Sequence, residues 1–226
     1  MDNSVTTNWK QVRLLVFDLD GTLVDSKKDL ALSVNAMRAE MGLAPLPLEL
    51  IGTYIGHGVT VLVERSLAAH ATAENVQKGL AFFLAYYHDH MLDYTLPYPG
   101  VAEALDELGN HKLAVLTNKP VNFSREMLTR LGFASHFTYI YGGNSFPQKK
   151  PDPTGLHKLM EDLQISARET LMVGDSDTDI LTGRNAGVWT CGVSYGFGAQ
   201  TLEAVSPDLV IDDMRELPPL LNGQCR

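Results

Sequence analysis

Two aspartates come directly after a run of apolar residues near the start of the chain. Asp18 and Asp20 follow Leu14 to Phe17, and Gly21 ends the run. Four consecutive apolar residues are typical of a strand buried on both faces, so the strand delivers both carboxylates to one edge of a sheet. Carboxylates this close repel each other unless a cation or a proton is present. The pair suits covalent chemistry, in which one carboxylate attacks and the other transfers protons.

Reactive side chains also follow three later apolar segments of the chain. They are Thr117-Asn118, then Lys150, and then Asp175 within the acidic segment 174–179. In open parallel sheets, ligands bind beyond the carboxyl ends of the strands. We therefore expect these groups to converge with Asp18 at one edge of the sheet.

The residue types at this edge indicate chemistry on a phosphoryl group. Several carboxylates at one site favour a hard cation held by oxygen ligands, for which Mg²⁺ is the natural candidate. The Lys150 ammonium and the Thr117 hydroxyl can bind phosphoryl oxygens. A metal and a lysine together offset the charge of a transferring phosphoryl group, where positioning and electrostatics supply most of the catalysis.

The elements that must position these groups alternate along the second half of the chain. Short apolar runs predict strands, which alternate with helical patterns, over residues 113–116, 137–141, 171–173, 188–193 and 209–211. This alternation is typical of βαβ units and a parallel sheet. Residues of about 27 to 93 contain helical patterns only. We predict an α/β fold, a Rossmann-like parallel sheet flanked by helices, with a core of residues 1–24 and 96–226 and an inserted all-helical cap over 25–95.

Composition limits the classes of partner. The 226 residues are 45% hydrophobic, enough for one core with a smaller appended unit. The net charge of −9 argues against a nucleic-acid backbone as partner. An anionic substrate would need local cations.

The cysteines and the N-terminus indicate the compartment. Cys191 and Cys225 lack metal-type spacing; they allow one disulfide, but a reduced chain is favoured. The segment Met1 to Lys10 is polar, and no stretch approaches the roughly 20 apolar residues of a membrane span. We expect a soluble cytoplasmic protein with no membrane partner, either a monomer or a homodimer.

Four segments carry a family resemblance. Asp18 to Asp25 resembles motif I of the haloacid dehalogenase superfamily in its phosphatase form, and Thr117-Asn118 resembles motif II. Lys150 to Pro153 resembles motif III, and Gly174 to Asp179 resembles motif IV. Order and spacing fit, and the helical block matches the cap that the superfamily inserts after motif I. A closer resemblance is to bacterial phosphoglycolate phosphatases, carried by residues 23–26, 53–58, 64–67, 117–120, 149–151 and 173–176.

The resemblance implies a role for each motif residue. Asp18 is the nucleophile that forms an aspartyl-phosphate, and Asp20 protonates the leaving oxygen and then deprotonates the attacking water. Thr117 and Lys150 hold the phosphoryl oxygens, with help from the backbone N–H of Asn118.

The resemblance also implies the metal site. Mg²⁺ is bound by the Asp18 side chain, the Asp20 backbone carbonyl and Asp175, while Asp179 lies behind these ligands and orients a water or Lys150. The cap closes over the site, excludes water and selects the leaving group.

The implied activity is Mg²⁺-dependent hydrolysis of a small phosphorylated metabolite, with 2-phosphoglycolate as the leading substrate. Its carboxylate requires a donor, for which His57, Arg65 and Lys119 are candidates. Other candidate activities are hydrolysis of pyrophosphate, a sugar phosphate or a nucleotide, and a phosphomutase. A phosphoacceptor signalling module is the alternative from another class, but such modules are about half this length and do not phosphorylate an aspartate on their first strand.

Overall fold

The computed structural model describes residues 9–223, and these contain a six-stranded parallel sheet. Its spatial order is β5-β4-β1-β6-β7-β8. The strands are β1 (Leu14–Phe17), β4 (Lys112–Leu116), β5 (Tyr139–Tyr141), β6 (Thr170–Gly174), β7 (Trp189–Val193) and β8 (Leu209–Ile211). Each neighbouring pair is parallel. The predicted α/β class with a Rossmann-like parallel sheet is therefore confirmed.

Strand β1 lies inside the sheet, which explains its uninterrupted apolar sequence. Leu14 pairs with Lys112 of β4 on one side and with Thr170 of β6 on the other. All four β1 residues are fully buried, as expected for a strand covered on both faces. The carboxyl ends of β4, β1 and β6 are adjacent, and this edge is where the predicted functional residues follow.

Helices cover both faces of the sheet. Leu15 and Phe17 belong to one apolar cluster, whereas Leu14 and Val16 belong to a second, because successive side chains of a strand point to opposite faces. The helices that follow the strands are α5 (Val101–Glu107), α6 (Val121–Arg130), α7 (Thr154–Leu163), α8 (Asp177–Ala186) and α9 (Leu217–Leu221).

A block of four helices lies between β1 and α5 in the chain. It comprises α1 (Lys27–Glu40), α2 (Leu48–Gly52), α3 (Val59–Leu67) and α4 (Ala73–His90). We call these helices and the loops between them the helical block. Phe83 of α4 and Val34 of α1 share an apolar cluster with Phe17 of the sheet, so the block packs on the same core. The assignment of residues 25–95 to a separate domain stays a prediction.

Some elements differ from the sequence prediction. Strands β2 (Val24–Asp25) and β3 (Leu96–Pro97) pair antiparallel at the two ends of the helical block, and neither was predicted. Two residues are too few to show a periodic pattern. Helix α2 was also missed, and β5 begins at residue 139 rather than 137.

Two features noted in the sequence can be located in the structure. Among residues 9–223, no helix combines the length and apolar character needed to cross a membrane. Cys191 is buried in β7, while Cys225 and most of the polar N-terminal segment lie outside the described residues.

Candidate active site

The Asp18 carboxylate lies within a buried acidic cluster. The backbone N–H of Asp18 donates to the Val173 carbonyl at 2.9 Å, which fixes the residue at the end of β1. Carboxylate oxygens of Asp18, Asp175 and Asp179 lie within 4.8 Å of one another, and all three residues are buried. The sheet thus brings together side chains that are far apart in the sequence.

Lys150 provides positive charge to this cluster. Its ammonium lies 2.9 Å from Asp18 Oδ1 and donates to Asp179 Oδ1 at 2.5 Å. Burial raises the pKa of Asp18 to about 6, an effect that Lys150 opposes and Asp179 increases. Burial, followed by repulsion from Asp179 and Asp18, also raises the pKa of Asp175 well above its usual range. The cluster therefore holds more negative charge than one lysine compensates.

The carboxylate oxygens differ in whether they already have partners. Asp18 Oδ1 is buried, and apart from its ionic contact with Lys150 at 2.9 Å it has no partner among the described residues. Asp179 Oδ1 accepts from Lys150, and its Oδ2 accepts from the Ser176 hydroxyl at 2.7 Å. Asp175 Oδ2 accepts from the Gly198 N–H at 2.7 Å. This donor set fits a divalent cation between Asp18 and Asp175, with Asp179 placed behind Lys150.

The backbone at Gly21 allows Asp175 to approach. Gly21 has φ +90°, and a Cβ atom there would lie 2.3 Å from Asp175 Oδ2. A side chain at this position would meet both a strained backbone and the acidic cluster. The glycine of motif I is therefore required by the close packing of the site.

Asn118 braces the backbone of Lys150. Its Oδ1 accepts from the Lys150 N–H at 3.0 Å, and its Nδ2 donates to the Lys150 carbonyl at 3.1 Å. Nδ2 also donates at 2.9 Å to the carbonyl of Gly56, in the loop between α2 and α3. The side chain of Asn118 thus links the sheet edge to the helical block.

The Asp20 side chain points away from the acidic cluster. It accepts a hydrogen bond from the Ser26 hydroxyl at 2.6 Å and from the Lys119 ammonium at 3.0 Å. The same ammonium donates to the Tyr87 hydroxyl at 2.7 Å. Asp18 and Asp20 therefore lie in different surroundings, although only Leu19 separates them in the sequence.

The contacts of Lys119 keep it charged. Burial by itself lowers the pKa of a lysine, but the Asp20 carboxylate and Tyr87 outweigh that effect and hold the pKa of Lys119 above its usual value. Burial raises the pKa of the Tyr87 hydroxyl above its usual value. At neutral pH the pair is an ammonium and a neutral phenol. Tyr87 is a functional candidate that the sequence pattern missed, because its place in an apolar stripe predicts a core residue.

Two cavities meet at Asp18 and Asp20. The first lies between the sheet edge and apolar side chains of the helical block. Thr117 and Lys119 line it together with the two aspartates. The second cavity is lined by the two aspartates and by polar groups that include His57 and Asp175.

The structure thus brings most of the predicted site residues together. Thr117, Asn118 and Lys150 are buried at the sheet edge. His57 is exposed and lines the second cavity. Arg65 is exposed on α3 and lines neither of these cavities, so the structure does not bring it to the site.

Comparison with known proteins extends these observations. A family model described as haloacid dehalogenase-like hydrolase matches residues 15–193. A phosphoglycolate phosphatase of Neisseria meningitidis is 39% identical over 225 residues, covering 95% of this chain and 96% of its own. One of Pseudomonas putida is 41% identical over 216 residues, covering 92% of this chain and 79% of its own. The crystal structure of a predicted phosphoglycolate phosphatase from Haemophilus somnus has a TM-score of 0.89 and 32% identity, and it covers 95% of this chain and 99% of its own.

Proposed function

This chain belongs to the haloacid dehalogenase-like hydrolase family, and from that membership and the site geometry we propose that it hydrolyses 2-phosphoglycolate to glycolate and phosphate. The relatives named phosphoglycolate phosphatases support a phosphomonoester hydrolase. The observation that carries the proposal is the separation of the two aspartates. The Asp18 carboxylate lies beside Lys150, whereas that of Asp20 faces Lys119 and the helical block.

In the first step Asp18 acts as the nucleophile. Its carboxylate oxygen forms a bond to phosphorus while the bond from phosphorus to the ester oxygen breaks. Asp20 gives its proton to the departing oxygen, so glycolate leaves as the hydroxy acid anion. The Lys150 ammonium and the Thr117 hydroxyl bind the phosphoryl oxygens during this transfer.

In the second step water releases the phosphate. Asp20, now a carboxylate, takes a proton from a water molecule, and the water oxygen bonds to phosphorus as the bond to Asp18 breaks. This step regenerates the free carboxylate of Asp18 and the protonated Asp20. One residue thus serves first as general acid and then as general base.

The proposed cofactor is Mg²⁺, held by the side chains of Asp18 and Asp175 and by the backbone carbonyl of Asp20. When bound, the cation offsets the negative charge of the phosphoryl group. The Asp18 oxygen that lacks a hydrogen bond supports this assignment. Asp179 holds the Lys150 ammonium in place.

The helical block supplies the leaving-group side of the site. We propose that residues 25–95 form a cap domain and that the first cavity holds the leaving group, because Asp20 lines it together with apolar side chains of the block. The Asn118–Gly56 hydrogen bond supports a closed arrangement of block and sheet. Cytoplasmic location and the monomeric or homodimeric state stay predictions.

The test is a panel of phosphate esters ranked by kcat/KM. It includes 2-phosphoglycolate, pyrophosphate, a sugar phosphate and a nucleotide, each assayed with Mg²⁺ and with EDTA. We expect 2-phosphoglycolate to exceed each alternative by at least about tenfold. A higher kcat/KM for another ester would refute the proposed substrate, and a single stoichiometric phosphorylation without turnover would favour a phosphoacceptor module.

A further inference from the structure

We infer that Lys119 binds the carboxylate of the leaving group and that Tyr87, from the helical block, holds the Lys119 ammonium in position. This inference rests on the proposed hydrolysis of a small carboxylate-bearing phosphate ester. On this inference, the Lys119 side chain determines whether the enzyme prefers an anionic or a neutral leaving group.

The charge distribution in the first cavity supports Lys119. Among the residues that line this cavity, Lys119 supplies the positive charge, while the helical block contributes apolar side chains such as Leu62 and Phe83. An anionic leaving group is poorly accommodated by apolar side chains and by Asp20 unless a cation compensates it. The Lys119 side chain is 4% exposed, so its attraction for an anion is screened little by solvent.

The geometry at Asp20 places Lys119 within reach of the leaving group. Its ammonium lies 3.0 and 3.2 Å from the two Asp20 oxygens. Asp20 is the proposed donor to the ester oxygen, and in glycolate a single methylene carbon separates that oxygen from the carboxylate. An ester oxygen at hydrogen-bond distance from Asp20 therefore brings the carboxylate beside Lys119. The ammonium now contacts three acceptor atoms, the two Asp20 oxygens and the Tyr87 hydroxyl. Because both Asp20 contacts are made to one carboxylate, a substrate carboxylate can take over one of the three N–H donors while Asp20 keeps another.

Tyr87 fixes the position of this ammonium. Its ring stacks on Phe83 at 5.5 Å and packs against Phe123 at 5.6 Å. Its hydroxyl lies 2.7 Å from the Lys119 ammonium. Because the ring is buried between neighbours, the hydroxyl has little freedom to follow a displaced lysine. Tyr87 is therefore a positioning residue that acts through Lys119.

The other two candidates for the carboxylate lie elsewhere. Arg65 is exposed and does not line the first cavity. His57 lines the second cavity, which also contains Asp175. Neither side chain is placed on the leaving-group side of Asp20.

The test compares Lys119→Met with the parent on two substrates, 2-phosphoglycolate and ethyl phosphate, in which a methyl group replaces the carboxylate. We expect the ratio of kcat/KM for 2-phosphoglycolate over ethyl phosphate to fall by about 100-fold, since the partner of a buried anion is removed. Loss of the partner of Asp20 affects both substrates and cancels in the ratio. Lys119→Arg, which keeps the charge, should retain at least part of the preference.

Two pairs of variants separate specific from general effects. Lys78→Met removes an exposed lysine of α4 that pairs with Glu74, and it should leave the ratio unchanged. Tyr87→Phe should raise KM for 2-phosphoglycolate several-fold and lower the ratio of kcat/KM for 2-phosphoglycolate over ethyl phosphate, because the Lys119 ammonium loses its phenol partner. Tyr86→Phe, the neighbouring tyrosine, should change neither quantity.

Three results would count against the inference. If Lys119→Met lowers kcat/KM equally for both substrates, Lys119 acts only on Asp20 and the inference is wrong. If Lys119→Met does not fold, the neutral variant Lys119→Gln takes its place, and an unchanged ratio in both Lys119→Gln and Tyr87→Phe overturns the inference. If the parent enzyme itself shows no preference for 2-phosphoglycolate over ethyl phosphate, the proposed substrate fails as well, and the parent kinetics identify that case.

Discussion

Lys150 Nζ lies 2.9 Å from Asp18 Oδ1, and both groups are buried at the carboxyl edge of the sheet. The ammonium also bonds to Asp179, so it is shared between two carboxylates. Burial, together with repulsion from Asp179, keeps the pKa of Asp18 raised, at about 6, although a lysine lies beside it. A nucleophile in this state is held in place, but it is under-compensated until further positive charge arrives.

Replacement of the nucleophile separates activity from stability. We expect Asp18→Asn to lower kcat by at least about 10⁴-fold, because the amide cannot form the proposed covalent bond to phosphorus. The metal-free variant should be at least as stable as the parent, since a buried carboxylate that repels its neighbours is removed. Steady-state kinetics and thermal unfolding in EDTA measure the two effects. A rate within about tenfold of the parent would exclude covalent catalysis by Asp18.

Asp20→Asn probes proton transfer without changing the phosphoryl site. We expect kcat to fall by about 10³-fold, because the amide neither protonates the leaving oxygen nor activates water. The inhibition constant of inorganic phosphate should change little, since the Asp20 side chain points away from Lys150 and Asp175. Ser26→Ala, which removes only the 2.6 Å hydrogen bond to Asp20, should cost several-fold in kcat at most. A variant that loses phosphate affinity as strongly as rate would show that Asp20 binds substrate instead.

The stabilisation of the folded protein by Mg²⁺ should depend on pH. The folded metal-free protein holds a proton on Asp18 up to about pH 6, above the ordinary pKa of 3.8, so it binds more protons than the unfolded chain between these values. Stability contributed by Asp18 is therefore lost as pH rises from about 4 to about 6. Mg²⁺ bound at Asp18 competes with this proton.

Thermal unfolding with Mg²⁺ and with EDTA checks this dependence. The increase in Tm caused by Mg²⁺ should be small at pH 5 and larger at pH 8. The difference between these two increases should be smaller in Asp18→Asn. An equal increase at both pH values would contradict metal binding at these carboxylates.

Gly21→Ala tests the close approach of Asp175. Gly21 and Gly42 both have positive φ, but a Cβ atom at Gly42 would meet nothing within 4 Å. Both alanine variants should lose stability by about 1–2 kcal/mol through backbone strain. Only Gly21→Ala should also lose activity, by about 100-fold or more, because the acidic cluster must shift. Equal kinetics for the two variants would show that the site tolerates this shift.

Local patterns predicted the elements that carry the motifs. Helix α8 follows β6 in the predicted alternation of strands and helices, and β1 occupies the apolar run that precedes Asp18. Both elements have a strong sequence pattern. The residues of β1 are all apolar because they are buried on both faces, and the capping box of Ser176 and Asp179 begins α8. The convergence of Asp18 and Asp175 follows from parallel strands that share one edge.

The sequence does not predict the contacts between the helical block and the sheet edge. Tyr87 was predicted to be a core residue, and its ring is indeed buried, but the partner of its hydroxyl lies on another element. Periodicity reports which face of a helix is covered and not what a single polar atom meets there. Arg65 is the opposite case. It lies in segment 64–67, which resembles phosphoglycolate phosphatases and made it a candidate for substrate binding, but the residue is exposed to solvent.

The short ribbon of β2 and β3 bears on how such enzymes diversify. Val24 pairs with Pro97 and Asp25 with Leu96, so the chain leaves the sheet and returns to it at one point. Under the proposed cap assignment, the segment between these strands is exchangeable as a module, because its ends are adjacent and the strand order of the sheet is untouched. An exchange of this module would carry Tyr87 away and leave Lys119 behind. Each newly acquired module would then have to provide its own partner for that lysine, and leaving-group preference could evolve while the phosphoryl chemistry is inherited intact.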